Sequence, residues 1–134
     1  MDTPSQRSQR TVLIVDDDAF MRELLAETLA ALGITQVQQA ADGRAAMQWL
    51  RQADATPALL ISDIYMPDMD GFEFISALAD MRYRGPVLLC SGVSMENLAL
   101  ARDVAEGLGL PLAGALPKPL SVDTLAQILE KIGL

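Results

Sequence analysis

Four short stretches hold residues whose chemistry is hard to explain as packing: Asp16, Asp17 and Asp18 in VLIVDDD, Asp63 in ISD, Ser91 in LLCS, and Lys118 in LPKP. Three or more carboxylates held within a few ångströms repel strongly, and a hard divalent cation with oxygen ligands is the simplest relief. Mg2+ suits such a site because it retains several waters and commonly takes one or two protein carboxylates together with phosphate oxygens. A lysine opposite the metal adds positive charge. A carboxylate flanked by both can act as a nucleophile, since charge on a transferring phosphoryl group is neutralised as an acyl phosphate forms. Ser91 is of the right type to hydrogen-bond one phosphoryl oxygen. Taken singly, each residue has a plainer reading: an Asp after a strand most often caps a helix, a lone Lys lies on the surface, and a lone Ser occupies a turn. Capping is the preferred reading for Asp18, and only the joint placement of the others raises the chemical one.

That placement depends on the elements that carry the residues. Apolar runs of strand length alternate with segments of helical period, giving five βα units and an α/β fold around a parallel sheet. Strands are expected at Thr11–Val15, Thr35–Ala40, Ala58–Ser62, Val87–Cys90 and near Leu112–Leu116. The second is the poorest, as suits an edge position. The first helix is expected to bury Phe20, Leu24, Leu25, Thr28, Leu29 and Leu32, and to stop at Gly33. Asp42-Gly43 turns the chain into a helix ending near Gln52, and MPDMDG leads into one with Phe72, Ile75, Leu78 and Ala79 on its inner face. An amphipathic stretch from Met95 to Leu108 is followed by the connection GLGLP, and Ser121 caps a last helix that buries Leu125, Ile128, Leu129 and Ile132. In an open parallel sheet, ligands bind outside the carboxyl ends of the strands, so the aspartates, Ser91 and Lys118 are expected to converge on one edge.

Composition narrows the classes. A chain of 134 residues is long enough for one domain with a substantial core. Only 4% of the residues are aromatic while 51% are hydrophobic, the balance expected when helices cover both faces of a buried sheet. A net charge of −8 leaves no basic stripe for a nucleic-acid backbone, so direct nucleic-acid binding is not expected. Cys90 is the single cysteine and sits in an apolar run, so it is read as a buried core residue and no disulfide within the chain can form. The first ten residues are polar, and no run approaches the roughly twenty apolar residues of a membrane span, so a cytoplasmic protein without membrane contact is expected. Residues 1–10 are expected to form a disordered tail and 11–134 the domain.

Together, VLIVDDD, ISDIYMPDMDGFEF, LLCSG and LPKPL resemble the receiver domain of two-component response regulators over nearly the whole chain from Thr11 onward. The resemblance implies a flavodoxin-like, doubly wound (βα)5 fold with a five-stranded parallel sheet in the order 2-1-3-4-5. It implies that Asp63 is the phosphoacceptor, that Asp16 and Asp17 form the acidic pair at Mg2+ with Asp17 a direct ligand, and that the Tyr65 backbone carbonyl completes the metal site with Asp63. Ser91 would be the hydroxyl residue that moves toward the phosphate, and Lys118 the phosphate-pairing lysine, with a cis bond to Pro119. The phosphoryl donor would be a sensor histidine kinase or a phosphotransfer protein, and the output face the fourth and fifth strands and helices. Such a chain catalyses only its own phosphoryl transfer and slow dephosphorylation, and phosphorylation can drive homodimerisation.

The chain departs from the family pattern in two places. Receivers usually carry an aromatic residue three positions before this lysine, which couples to the hydroxyl residue, whereas here Ala115 stands, so the signal is expected to run through the loop after Ser91 and the fourth helix. The segment between Ser91 and Lys118 is also longer than in compact receivers and is similar to that of receivers attached to EAL-type cyclic-di-GMP phosphodiesterases. Either an N-terminal domain of a longer parent or a stand-alone regulator fits that pattern, as does a loop insertion without functional meaning. Tyr65 and Val93, two beyond the phosphoacceptor and two beyond the hydroxyl residue, flank the path of an attacking water in this family. Neither positions water well, so slow self-dephosphorylation is expected. Two alternatives carry less weight. A haloacid-dehalogenase-like phosphatase would use Asp16 and Asp18, but it needs a further acidic pair, and only Asp123 and Glu130 follow Lys118. A receiver-like scaffold that takes no phosphate would not need Asp63, Ser91 and Lys118 together.

Overall fold

The computed structural model describes residues 6, 9–66, 70–92 and 94–134. Most of the expected N-terminal tail, the middle of the MPDMDG turn and Val93 lie outside them. Among the described residues ten elements alternate: β1 (Thr11–Val15), α1 (Ala19–Ala31), β2 (Gln36–Ala40), α2 (Gly43–Gln52), β3 (Leu59–Asp63), α3 (Gly71–Asp80), β4 (Val87–Ser91), α4 (Met95–Gly107), β5 (Leu112–Pro117) and α5 (Val122–Lys131). The strands form one sheet in the order β2-β1-β3-β4-β5, every pair parallel. Both the α/β class and the 2-1-3-4-5 order agree with expectation.

Burial explains the strand compositions. β3 and β4 are buried at every residue and read as continuous apolar runs, as strands covered on both faces must. β2 is an edge strand and tolerates Gln36, Gln38 and Gln39. Alternate residues of the central strands feed two cores. Leu13, Val15, Leu60, Val87 and Leu89 pack with buried residues of α2, α3 and α4, whereas Val12, Ile14, Ile61, Leu88 and Cys90 pack with Leu25 and Leu29 of α1 and Leu125 and Leu129 of α5. Helix ends follow local chemistry: Asp18, Asp42, Asp70, Ser94 and Ser121 each cap the helix that follows by accepting from its first-turn amides, and Gly33 takes a positive φ of 91° where α1 stops.

Two expectations about buried faces need correction. Phe20 and Leu24 are exposed, at 72% and 38%, because the sheet takes the adjacent stripe of α1 containing Leu25 and Leu29. On α3 the fully buried aromatic is Phe74, while Phe72 is only partly buried at the margin of the core. β3, β4 and β5 each run one residue further than expected, so Asp63 and Ser91 are the last residues of β3 and β4 rather than the first residues beyond them.

Candidate functional site

The parallel register sets the site. Val15 pairs with Ser62, Asp63 with Cys90, and Ser91 with Pro117, so Asp16, Asp63, Ser91 and Lys118 emerge side by side at the carboxyl ends of β1, β3, β4 and β5. A close approach fixes the loop after β3: a Cβ on Gly71 would stand 2.5 Å from the Ile64 Cα, so only glycine lets the start of α3 pass there, and the Gly71 amide donates to the Ile64 carbonyl at 2.9 Å. This requirement accounts for the glycine of MDGFEF.

Asp16 and Asp63 are buried, at 1% and 6% exposure, while Asp17 is exposed at the rim. Carboxylate oxygens of the three lie within 4.8 Å of one another. Lys118 Nζ enters between two of them, donating to Asp16 Oδ2 at 2.5 Å and to Asp63 Oδ2 at 2.8 Å. The second oxygen of each buried carboxylate accepts a backbone amide, Asp16 Oδ1 from Asp18 and Asp63 Oδ1 from Tyr65 at 3.1 Å. Among the described residues three carboxylates and one ammonium meet here, and the candidate ligand atoms are hard oxygens. This combination fits a small divalent cation such as Mg2+.

The titrations reflect the same crowding. Burial raises the Asp63 carboxyl above its ordinary value, and the charge of Asp16 adds to this. The Lys118 hydrogen bond and charge and the Tyr65 amide offset only part of the effect. For Lys118, burial pulls downward, but hydrogen bonds to Asp16 and Asp63 and their negative charge prevail and hold the ammonium above the usual lysine range. Lys118 is positioned by its own backbone, whose amide donates to the Ser91 carbonyl at 2.9 Å, and its bond to Pro119 is cis.

The other expected residues fall as follows. Asp18 faces α1 as its N-cap, with Oδ1 accepting from Phe20 and Met21. Ser91 is fully buried, and its Oγ accepts from the Ser94 amide at 3.4 Å, tying it to the start of α4. Tyr65 reaches Asp63 through its amide, while its phenol oxygen accepts from Asn97 Nδ2. Ala115 stands in β5 opposite Leu89 and packs into the core. Asp123 and Glu130 are exposed on α5, outside the carboxylate cluster, which leaves a phosphatase of the dehalogenase type without its second acidic pair.

Sequence reasoning missed two supporting residues. Arg22 Nη1 donates to the Asp16 carbonyl at 2.6 Å while its Nε donates to Gln39, bracing the end of β1 from α1. Asn97 reaches Tyr65 from another element. Neither belongs to a motif; the sole local signal is Asn97 standing three residues after its cap Ser94.

Comparison with known proteins identifies the family and the fold. A family model described as the response regulator receiver domain matches residues 12–130. The chain is 26% identical over 120 residues to the chemotaxis protein CheY of Bacillus subtilis, covering 90% of this chain and 94% of that one. It is 32% identical over 122 residues to a protein-glutamate methylesterase/protein-glutamine glutaminase of Nocardioides, covering 90% of this chain but spanning only 32% of that relative. Against the regulator of RpoS of Escherichia coli the identity is 37% over 111 residues, covering 83% of this chain and 31% of the relative. Among solved structures, Vibrio cholerae CheY4 superposes with a TM-score of 0.74 at 32% identity, covering 92% of this chain and 98% of that one. A response regulator from Colwellia psychrerythraea gives 0.76 at 28%, covering 92% and 95%.

Proposed function

The chain belongs to the response-regulator receiver family of two-component signalling, and on that premise we propose that it is a phosphorylation switch whose phosphoacceptor is Asp63. The donor is a histidine of a sensor kinase or of a phosphotransfer protein, and the reaction depends on Mg2+ held by Asp16, Asp17, Asp63 and the Tyr65 carbonyl. The observation that carries this reading is the buried Asp63 carboxylate hydrogen-bonded to Lys118 inside a cluster of three acidic groups.

An oxygen of Asp63 attacks phosphorus, the bond to the donor nitrogen breaks, and the phosphoryl oxygens take over the ammonium hydrogen bonds that Asp63 now holds. The metal, when bound, supplies charge that neutralises those oxygens. Burial and the neighbouring Asp16 disfavour the ionised carboxylate, and Lys118 and the Tyr65 amide offset part of this. The acyl phosphate adds roughly two negative charges at the sheet edge, and Ser91 and Lys118 can meet them in only one arrangement of their loops, which shifts the population of the α4, β5 and α5 face.

The receiver unit on this reading runs from Thr11 to Leu134. Because the residues two beyond Asp63 and two beyond Ser91 in the sequence are Tyr65 and Val93, neither acidic nor an amide, the acyl phosphate is long-lived compared with receivers that carry acidic or amide groups at those positions. The output is a separate effector, a homodimer, or a domain elsewhere in a longer protein, for which the long segment before Lys118 points to an EAL type. The decisive experiment incubates the protein with a small phosphodonor and Mg2+ and follows intact mass. Wild type gains one phosphate and Asp63→Ala gains none, and phosphate that survives the substitution would sink the assignment.

A further inference from the structure

Tyr65 is attached in two directions. Its amide donates to Asp63 Oδ1 at 3.1 Å, and its phenol oxygen accepts from Asn97 Nδ2 in the first turn of α4. Asn97 is itself held at that helix end, since its backbone amide donates to Ser94 Oγ at 3.1 Å and the Ser94 amide donates to Ser91 Oγ. Two hydrogen-bonded paths therefore leave the carboxylate pocket, one from Asp63 and one from Ser91, and both end on Asn97. Nothing comparable starts at position 115, where a methyl group faces the core.

We infer that Tyr65 is a positioning residue that couples the state of Asp63 to α4 through its hydrogen bond with Asn97. The inference rests on Asp63 being the phosphoacceptor. A tyrosine has two side-chain torsions, so its ring transmits a backbone displacement with little slack. The Tyr65 amide now faces a carboxylate, and when Asp63 becomes an acyl phosphate the charge at that acceptor moves outward onto the phosphoryl oxygens. The amide follows the new acceptor, and the ring carries the shift to Asn97. There it acts on a helix terminus whose leading amides have no partners within the helix and depend on such caps. Tyr65 is 39% exposed and its bond to Asn97 lies at the surface, so water can replace a lost hydrogen bond and the substituted proteins retain their fold.

The test uses the full chain as wild type, Asn97→Ala, Tyr65→Phe and the double variant, each with and without a small phosphodonor and Mg2+. Intact mass reports phosphate on Asp63, and amide exchange reports protection at the start of α4. Asn97→Ala lies outside the phosphoryl pocket and takes up phosphate as wild type does. In wild type, phosphorylation changes exchange in the first turn of α4 about fivefold, the ratio one ordinary hydrogen bond supports. Each single variant loses that difference, and the double variant loses no more than either. A merely structural bond would shift the phosphorylated and unphosphorylated states equally and leave the difference intact. The coupling is overturned if phosphorylated Asn97→Ala or Tyr65→Phe keeps the wild-type change, or if phosphorylated wild type shows none. Failure of wild type to take up phosphate overturns the phosphoacceptor assignment itself, and the coupling with it.

Discussion

The two ends of the sheet contrast sharply. At the carboxyl end, Asp16, Asp63 and Ser91 are buried polar groups gathered around Lys118. At the amino end lies a cavity of ≈ 360 Å³ bordered by Ala79, Arg82, Tyr83, Arg84, Leu110 and Pro111, with its arginines turned to solvent. The lining of that cavity carries no carboxylate, whereas the carboxyl end gathers three. Burying like charges costs stability, so their accumulation at one end marks chemistry where volume does not. A phosphoryl group and a hydrated ion need oxygen ligands and a counter-charge more than a deep pocket.

The largest expected effect comes from removing the counter-charge. Lys118→Met leaves Asp16 and Asp63 buried without their shared partner and is expected to cost about 3 kcal/mol in denaturant unfolding with a chelator present. Mg2+ should restore part of it. An equal loss with and without Mg2+ would mean that the carboxylates do not share a cation site.

Next is the ionisation of Asp63. Its folded pKa is raised above the unfolded value, so the native state holds the proton more tightly. The stability this contributes is fully present below the unfolded value near 3.8 and is lost as pH rises through the folded pKa. Asp63→Asn in chelator should therefore gain stability at pH 7 relative to wild type, with the gain shrinking toward pH 4. A gain independent of pH would show that charge is not its cause.

At the other end, the Tyr83 hydroxyl is buried with no hydrogen-bond partner among the described residues. Tyr83→Phe should be neutral or stabilising by up to about 1 kcal/mol in the same measurement, whereas a loss would reveal a partner for the hydroxyl. The smallest expected effect is chemical. Burial pushes the Cys90 thiol up to about 12, and its Sγ faces the Ser62 carbonyl. A thiol reagent at pH 8 should label the folded protein far more slowly than the denatured one, and equal rates would contradict the burial.

Much of this was legible in the chain. Fully buried parallel strands need continuous apolar runs, and VLIV, LLIS and VLLC supply them. Glutamines mark β2 as the edge. Local chemistry was equally readable where one side chain meets its own backbone, as at the caps Asp18 and Ser121. Helix faces were less so. Phe20 and Leu24 form a stripe beside that of Leu25 and Leu29, and Phe72 competes with Phe74, with periodicity allowing either. Contact with the sheet chose between them.

The alternation of elements and caps such as Asp18 and Ser121 were readable from the chain because each depends on neighbours a few positions away, whereas the candidate site residues stood out only through their joint placement at strand ends. The fold alone places Lys118 between Asp16 and Asp63, residues 102 and 55 positions distant in the chain, and sets Arg22 and Asn97 to brace the pocket's surroundings. Those contacts follow from strand order and register, which bring distant strand ends together and leave no local trace in the sequence.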